Sequence, residues 1–361
     1  MVPTLFTPSV LRAMELRNRT WLAPMCQYMV TARDGIPTNW HLMHLGARAA
    51  GGFGLVITEA TAVNPEGRIS AQDTGLWNEE QTRAWSRIVS FCQAQGAKVA
   101  VQLGHAGRKA STWPMLPTYA GRPGSVPELA GGWRAVGPTH EPFPGLEAPD
   151  PLDAAGITRV IDDFVAAAGR AEAAGFDAIE LHFAHGYLVH EFLSPLVNTR
   201  TDRYGGDEAG RRRLALEIAA AVREVWPAPK PLIVRISATD WIDGGWHTQQ
   251  SIDLACALAE VGVDALHVST GGAVIADIAV GPEYQVSFAR AIREATDMPV
   301  ATVGLITEPA HAEQILRRGD ADYVAVGRAA LREPGWPQRA AHELGVRDGD
   351  LYPGPYRRGS W

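Results

Sequence analysis

The chain has 361 residues, 46% of them hydrophobic and 20% charged, with a formal net charge of -7 and a pI near 5.9. That composition supports a sizeable core, and an acidic balance without any basic run excludes nucleic acid as the main partner. The three cysteines, Cys26, Cys92 and Cys256, are scattered, which excludes a disulfide framework and fits a reducing cytoplasm. The first residues lack the apolar core of a signal peptide, and no apolar run reaches membrane-spanning length, so neither export nor membrane anchoring is expected.

Short apolar runs recur along the chain, each followed by a loop and a helical pattern. Strands are predicted over 20–23, 55–58, 98–102, 178–182, 232–236, 265–269, 300–303 and 323–326. The runs are continuous rather than alternating, as when both faces of a parallel sheet are buried. Between them lie apolar stripes, such as Trp85, Ile88, Val89 and Cys92 within 79–95, and Leu214, Ile218, Ala221, Val222 and Val225 within 211–226. A helix over 307–317 is expected to take Thr307 as N-cap, with Pro309 in its first turn. Gly96, Gly175, Gly262 and Gly319 mark helix ends. Gly51, Gly52 and Gly54 precede the second strand and read as a helix-to-strand turn.

Eight strands alternating with helices predict an α/β fold, a (β/α)8 TIM barrel forming a single domain over 1–361. A doubly wound sheet would bring a GxGxxG turn after an early strand, and there is none. The alternation breaks over 104–156, a Pro-, Gly- and Trp-rich stretch with no helical or strand period. It leaves after the third strand and is expected to act as a lid over the barrel mouth. The aromatic, basic tail 345–361 is expected to dock on another surface.

In such folds the loops after the strands' carboxyl ends carry the chemistry. The densest is in DAIELHFAHGYLVHEFLSPLVNTRTDRYGG (177–206), which delivers His182, His185, Gly186, Tyr187, His190 and Glu191 within ten positions. The histidines admit three readings: metal ligands, donors to a substrate oxygen, or satisfied loop residues. Only Glu59 and Asp240 stand nearby as acidic ligands, which makes a metal set thin. As donors, two imidazole N–H groups on one oxygen would stabilise an enolate, ~2.7–4 kcal/mol for each. Tyr187, with an intrinsic pKa of ~10, suits a proton donor to a strongly basic carbon. His190 and Glu191 are assigned to the next helix and to structure. Arg235, within the fifth strand, needs an anionic partner, either internal (Glu59 or Asp240) or a negatively charged cofactor. Gln102 can read a polar ring edge. Gly304, and Gly327 with Arg328, follow strands seven and eight, where this fold binds phosphate. Cys26 is either a small buried hydrophobe or a soft group tuning a redox centre. Competing readings are a metal-dependent or Schiff-base lyase using His182, His185 and Lys109, and a non-enzymatic phosphate-binding barrel.

With these residues assembled, the chain resembles the old yellow enzyme family of flavin-dependent ene-reductases, in its thermophilic-like branch. The matching motifs are LAPMCQY (22–28), HLGARAAGGFGLVITEATAV (44–63), VQLGHAGRKA (101–110), the 181–206 segment and VAVGRAAL (324–331). The resemblance implies an NADPH dehydrogenase with bound FMN, reducing the activated C=C bond of enones, enals or maleimides. It implies that Ala23, Pro24, Met25 and Cys26 line one side of the flavin, and that Ala60 and Gln102 contact its edge. Arg235 would face N1/O2, and Gly304, Gly327 and Arg328 would hold the phosphate. His182 and His185 would grip the substrate carbonyl, Tyr187 would protonate the alkene, and Tyr28 would lie over the substrate. Tyr356 and Arg358 would reach a neighbouring subunit's site in a homodimer or homotetramer. Cys26 in place of a threonine marks the branch. The chain departs from the family's YGGSxxNR after the catalytic loop, which is expected to alter a helix start rather than chemistry.

Overall fold

A computed structural model describes residues 3–361. Eight parallel strands close a barrel in sequential order: β1 (Thr20–Leu22), β2 (Leu55–Ala62), β3 (Lys98–Gly104), β4 (Ala178–Phe183), β5 (Leu232–Ser237), β6 (Ala265–Ser269), β7 (Val300–Thr302) and β8 (Tyr323–Val326). β8 pairs with β1, with Val326 opposite Leu22, and so removes both edges. The expected barrel is therefore present, and the predicted strands fall within a few residues of their positions. β2 is longer than expected: Glu59 and Ala60 lie within it, where the register with β3 shifts between Ile57 and Ala60.

Two cores follow from the two faces of the strands. Outward-facing residues pack against the helices α1 (Asn39–Ala50), α2 (Glu79–Ala94), α3 (Ala154–Ala174), α4 (Leu188–Leu193), α5 (Glu208–Val225), α6 (Thr248–Glu260), α7 (Val286–Ala295), α8 (Pro309–Arg318), α9 (Arg328–Arg332) and α10 (Trp336–Glu343). A smaller inner cluster joins Trp21, Ala100, Ile233, Ala265 and Tyr323 to Leu11, Met14 and Leu16 of an N-terminal hairpin. The hairpin closes the base of the barrel, and the other end is left for the site.

Local rules explain the helix ends. Gly96, Gly175, Gly262 and Gly319 all have positive φ, as a left-handed C-terminal turn requires. α5 starts earlier than its apolar stripe suggested, because Asp207 accepts a hydrogen bond from Gly210 N at 2.8 Å. This cap sits in the segment that departs from YGGSxxNR. Thr307 is not the N-cap of α8. Glu308 occupies that position without a side-chain bond, and the Thr307 carbonyl accepts Trp336 Nε1 at 2.7 Å, which ties the loop to α10.

The 104–156 excursion is less irregular than its sequence. It holds single 3-10 turns at Gly107–Lys109, Pro117–Tyr119 and Glu128–Ala130, and Val136–Gly137 pairs in parallel with Asp150–Pro151. Arg108 ties it down, donating to Glu141 O, Pro142 O and, at 2.6 Å, to Ala273 O beyond β6. No helix among the described residues is long and apolar enough to cross a membrane.

Candidate active site

β4 supplies the centre. His182, its penultimate residue, stands opposite Arg235 of β5. The chain then turns sharply, with His185 at φ 60 and Gly186 at φ 71. The turn is held by His185 N donating to Ser237 Oγ at 2.9 Å and by Lys109 Nζ donating to His185 O at 2.8 Å and Gly272 O at 2.6 Å. It brings His185 Nδ1 to 3.3 Å from His182 Nε2, and sets the Tyr187 ring 5.0 Å from that of His182.

Ala184 N donates to His182 Nδ1 at 3.3 Å, so His182 carries its proton on Nε2, facing the gap between the rings. His185 Nε2 lies 2.7 Å from Ser269 Oγ. That hydroxyl donates to Gln285 Oε1 at 3.1 Å, so it accepts from His185 Nε2–H, and His185 Nδ1 in turn accepts the His182 Nε2–H across the gap. Burial holds both histidines well below their ordinary pKa, so they are neutral donors. Burial pushes the Tyr187 phenol well above its usual value, which keeps its proton in place.

A cavity of about 330 Å³ opens beside His185, lined among others by Arg235, Ser269, Gln285, Gly304, Gly327 and Arg328. Its donors suit an anion: Arg328 stands at the mouth, and the buried Arg235 Nε has no protein partner. Gly304 has φ +135, and a Cβ there would meet Tyr284 and Gln285 at 3.2–3.3 Å, so this wall is built of bare backbone. Gly327 lies against the β1 end, with Met25 Sδ 3.7 Å and Ala23 Cβ 3.9 Å from the position of an added Cβ. Pro24, Met25 and Cys26 follow, partly exposed. Burial pushes the Cys26 thiol well up. A second, smaller pocket joins Ala60, His182 and Tyr187 to Ile69 and His105.

Arg235 has neither of the carboxylates suggested for it. Glu59 accepts Gln27 N and lies 2.9 Å from His41, while Asp240 accepts Ser194 Oγ and Trp246 N and lies 3.1 Å from His190. Its anionic neighbour is Glu180 of β4. His190 Nδ1 also accepts Gly186 N at 2.9 Å, and Glu191 accepts Arg108 N at 2.9 Å. Tyr356 and Arg358 do not join the site within one chain. They line a separate surface pocket with Gln338, Tyr352 and Trp361, and Gln338 is anchored to Ala50 O at the far end of α1. Sequence reasoning missed Ser237, Ser269, Gln285 and His267. The signal was a polar residue inside an apolar strand, as in ALHVS. Among the described residues no group of three or more His, Cys, Asp or Glu is placed to hold a metal.

The buried titratable groups set a pH profile for stability. Burial pushes His44 down to about 3 and His105 down to about 4. The unfolded chain protonates these rings below ~6.5, so their contribution is complete above that pH and is lost as pH falls toward the folded values. Burial pushes Asp73 up to about 7 and Glu191 up to about 8. Folded, these carboxyls keep protons that the unfolded chain releases from ~4 upward, so their contribution is complete below ~4, declines as pH rises and is gone above about 8. A thermal midpoint measured from about pH 6 to about pH 8 is expected to fall as pH rises, since above ~6.5 only the carboxyl contribution still changes. A midpoint still climbing above neutrality would contradict these assignments.

The sequence matches the NADH:flavin oxidoreductase / NADH oxidase family over residues 4–346. It is 43% identical over 345 residues to NADPH dehydrogenase of Bacillus subtilis (strain 168), covering 95% of this chain and 96% of that protein. It is 41% identical over 348 residues to NADPH dehydrogenase of Geobacillus thermodenitrificans (strain NG80-2), covering 96% of each. Among solved structures, the old yellow enzyme homologue from Zymomonas mobilis aligns with a TM-score of 0.80 at 27% identity over 97% of each chain. Morphinone reductase in complex with tetrahydroNAD aligns with a TM-score of 0.79 at 26% identity, over 98% of this chain and 95% of that one.

Proposed function

The chain belongs to the NADH:flavin oxidoreductase / NADH oxidase family, that of the FMN-dependent old yellow enzymes, and from that premise we propose that it reduces the activated C=C bond of α,β-unsaturated carbonyl compounds at the expense of NADPH. The observation that carries the reading is the facing pair His182 Nε2 and His185 Nδ1, 3.3 Å apart, with the phenol of Tyr187 beside it. A carbonyl oxygen entering beside the pair would take the His182 Nε2–H, and a turn of the Ser269 hydroxyl toward His185 Nε2 would move the His185 proton to Nδ1 as the second donor to that oxygen. An acid as weak as Tyr187 delivers its proton only to a strongly basic atom, such as the α-carbon of an enolate.

The residues fit the cofactor. Arg235 offers an unpartnered buried N–H, Gly304 and Gly327 line the cavity where a phosphate would sit, and Arg328 adds charge. Ala23, Pro24, Met25 and Cys26 would line one side of the ring, with Ala60 and Gln102 at its edge. Bound FMN would supply the hydride chemistry between nicotinamide and alkene. The protein's part is to hold the carbonyl oxygen on His182 and His185, to keep the proton on Tyr187 until it is needed, and to exclude water. Tyr28 would cover the substrate. The excursion would act as a lid, since Phe143 lies 4.3 Å from Lys109 Nζ, which in turn stands 5.6 Å from the Tyr187 ring centre. Tyr356 and Arg358, exposed and remote from their own barrel mouth, would complete the site of a second copy in a homodimer or homotetramer.

The test is a visible spectrum of the purified protein, followed by anaerobic NADPH and then 2-cyclohexenone. A yellow protein bleached by NADPH and restored by the enone is expected. Bleaching without restoration would leave a flavin oxidoreductase of another kind.

A further inference from the structure

Glu180 is fully buried in β4, in a strand otherwise made of apolar residues and His182. A carboxylate placed there costs several kcal/mol unless its charge and lone pairs are met. Both oxygens are met from across the barrel. Oε1 accepts Gln102 Nε2 of β3 at 2.7 Å, and Oε2 lies 2.8 Å from His267 Nδ1 of β6. An ionised carboxylate can only accept, so the Gln102 amide is turned with its nitrogen toward Glu180, and His267 carries its proton on Nδ1. Gln102 Oε1 thus remains as the acceptor that Gln102 can offer. Arg235 of β5 stands beside His267 in register and lines the large cavity. Burial keeps His267 below its ordinary pKa, so this imidazole is neutral and brings no charge of its own. Donors from His267 and Gln102, with Arg235 nearby, hold Glu180 below the ordinary carboxylate range in spite of its burial. The arrangement is one cation facing the cavity, one anion behind it, and a neutral ring that fixes the anion.

We infer that Glu180, fixed in place by His267, is the counter-charge to Arg235 and the orienting partner of Gln102, and that the charge of this one positioning residue tunes the reduction potential of the bound flavin. The inference rests on the FMN reading above. A fixed cation at the ring favours the reduced, anionic form, and an anion behind that cation subtracts from its effect. Removing the negative charge therefore makes the flavin easier to reduce.

The experiment is an anaerobic titration of the yellow protein against reference dyes, for wild type, Glu180→Gln and His267→Gln. Glu180→Gln is expected to shift the reduction equilibrium at least tenfold toward the reduced form, ~30 mV for a two-electron couple. His267→Gln keeps a donor toward Glu180 and keeps the charge, and is expected to stay close to wild type. A Glu180→Gln protein with the wild-type potential overturns the inference, and so does an equal shift in both variants, which would reflect general damage to the barrel interior. Should Glu180→Gln shed its flavin, FMN affinity becomes the readout. Retention by Glu180→Asp then supports a role for the charge, and loss in both overturns it. A wild type that stays colourless with FMN defeats the functional reading and this inference together, whereas an unmoved potential in a yellow variant defeats this inference alone.

Discussion

Tyr187→Phe is expected to lower enone turnover by ~10²–10⁴, the usual worth of a positioned general acid, while NADPH bleaches the flavin at the wild-type rate. The separation is possible because the phenyl ring does structural service that the hydroxyl does not. The ring stands edge-on to His182 at 5.0 Å and lies under the Lys109 ammonium at 5.6 Å, and both contacts survive the substitution. The hydroxyl makes no hydrogen bond to another described residue that would be lost with it. Its one expected task is to protonate the carbon that has not received hydride, a step that belongs only to the half-reaction with the alkene. Stopped-flow measurement of the two half-reactions separates them. Equal enone rates for Tyr187→Phe and wild type would remove Tyr187 from the mechanism and leave solvent as the proton source.

Gly186→Ala is expected to cost ~10² in the same half-reaction and to lower the thermal midpoint, although it adds a single methyl group. At φ 71 a side chain meets the left-handed penalty of ~1–2 kcal/mol. Sterics add to it, because the new Cβ would lie 1.9 Å from Gly272 O and 2.5 Å from Gly272 C, rigid backbone of the loop after β6. That loop is packed reciprocally: a Cβ on Gly272, itself at φ 102, would lie 2.5 Å from the His185 carbonyl. The loops after β4 and β6 therefore touch backbone to backbone, with Lys109 bonded to a carbonyl of each. Forcing them apart moves His185 away from both His182 and Ser269. A misplacement of ~1 Å in a positioned group is enough for ~10²-fold. A Gly186→Ala protein that reduces enone at the wild-type rate would show that the approach of the two loops does not position the histidines.

Much of the fold was legible because periodicity and punctuation are local. Ala265–Ser269 and Tyr323–Val326 fall where their apolar runs end, and Gly175 and Gly319 stop their helices in the left-handed turns that glycine allows. The misplaced Thr307 cap shows the limit of local reading. A tertiary bond from Trp336 claims its carbonyl, and capping preference is too small to compete. β2 outran its predicted end because the bulge at Glu59 and Ala60 interrupts the hydrophobic run without interrupting the strand.

The same division holds at the site. Sequence alone determined that the chain alternates strand and helix eight times, and that the segment after β4 concentrates His182, His185 and Tyr187, since composition and spacing are properties of neighbours along the chain. Only the tertiary structure decided which charges meet. Glu59 and Asp240 were reasonable partners for Arg235 by residue type, yet each is taken by a histidine, His41 and His190, while Glu180, the acidic neighbour whose charge Arg235 feels, is bonded to Gln102 and His267 and forms no ion pair with it. Glu180, Gln102 and His267 lie 78 and 87 positions apart along the chain. Barrel closure brings β3, β4, β5 and β6 side by side, and no local pattern in any one of those strands specifies which inward-facing group will find which.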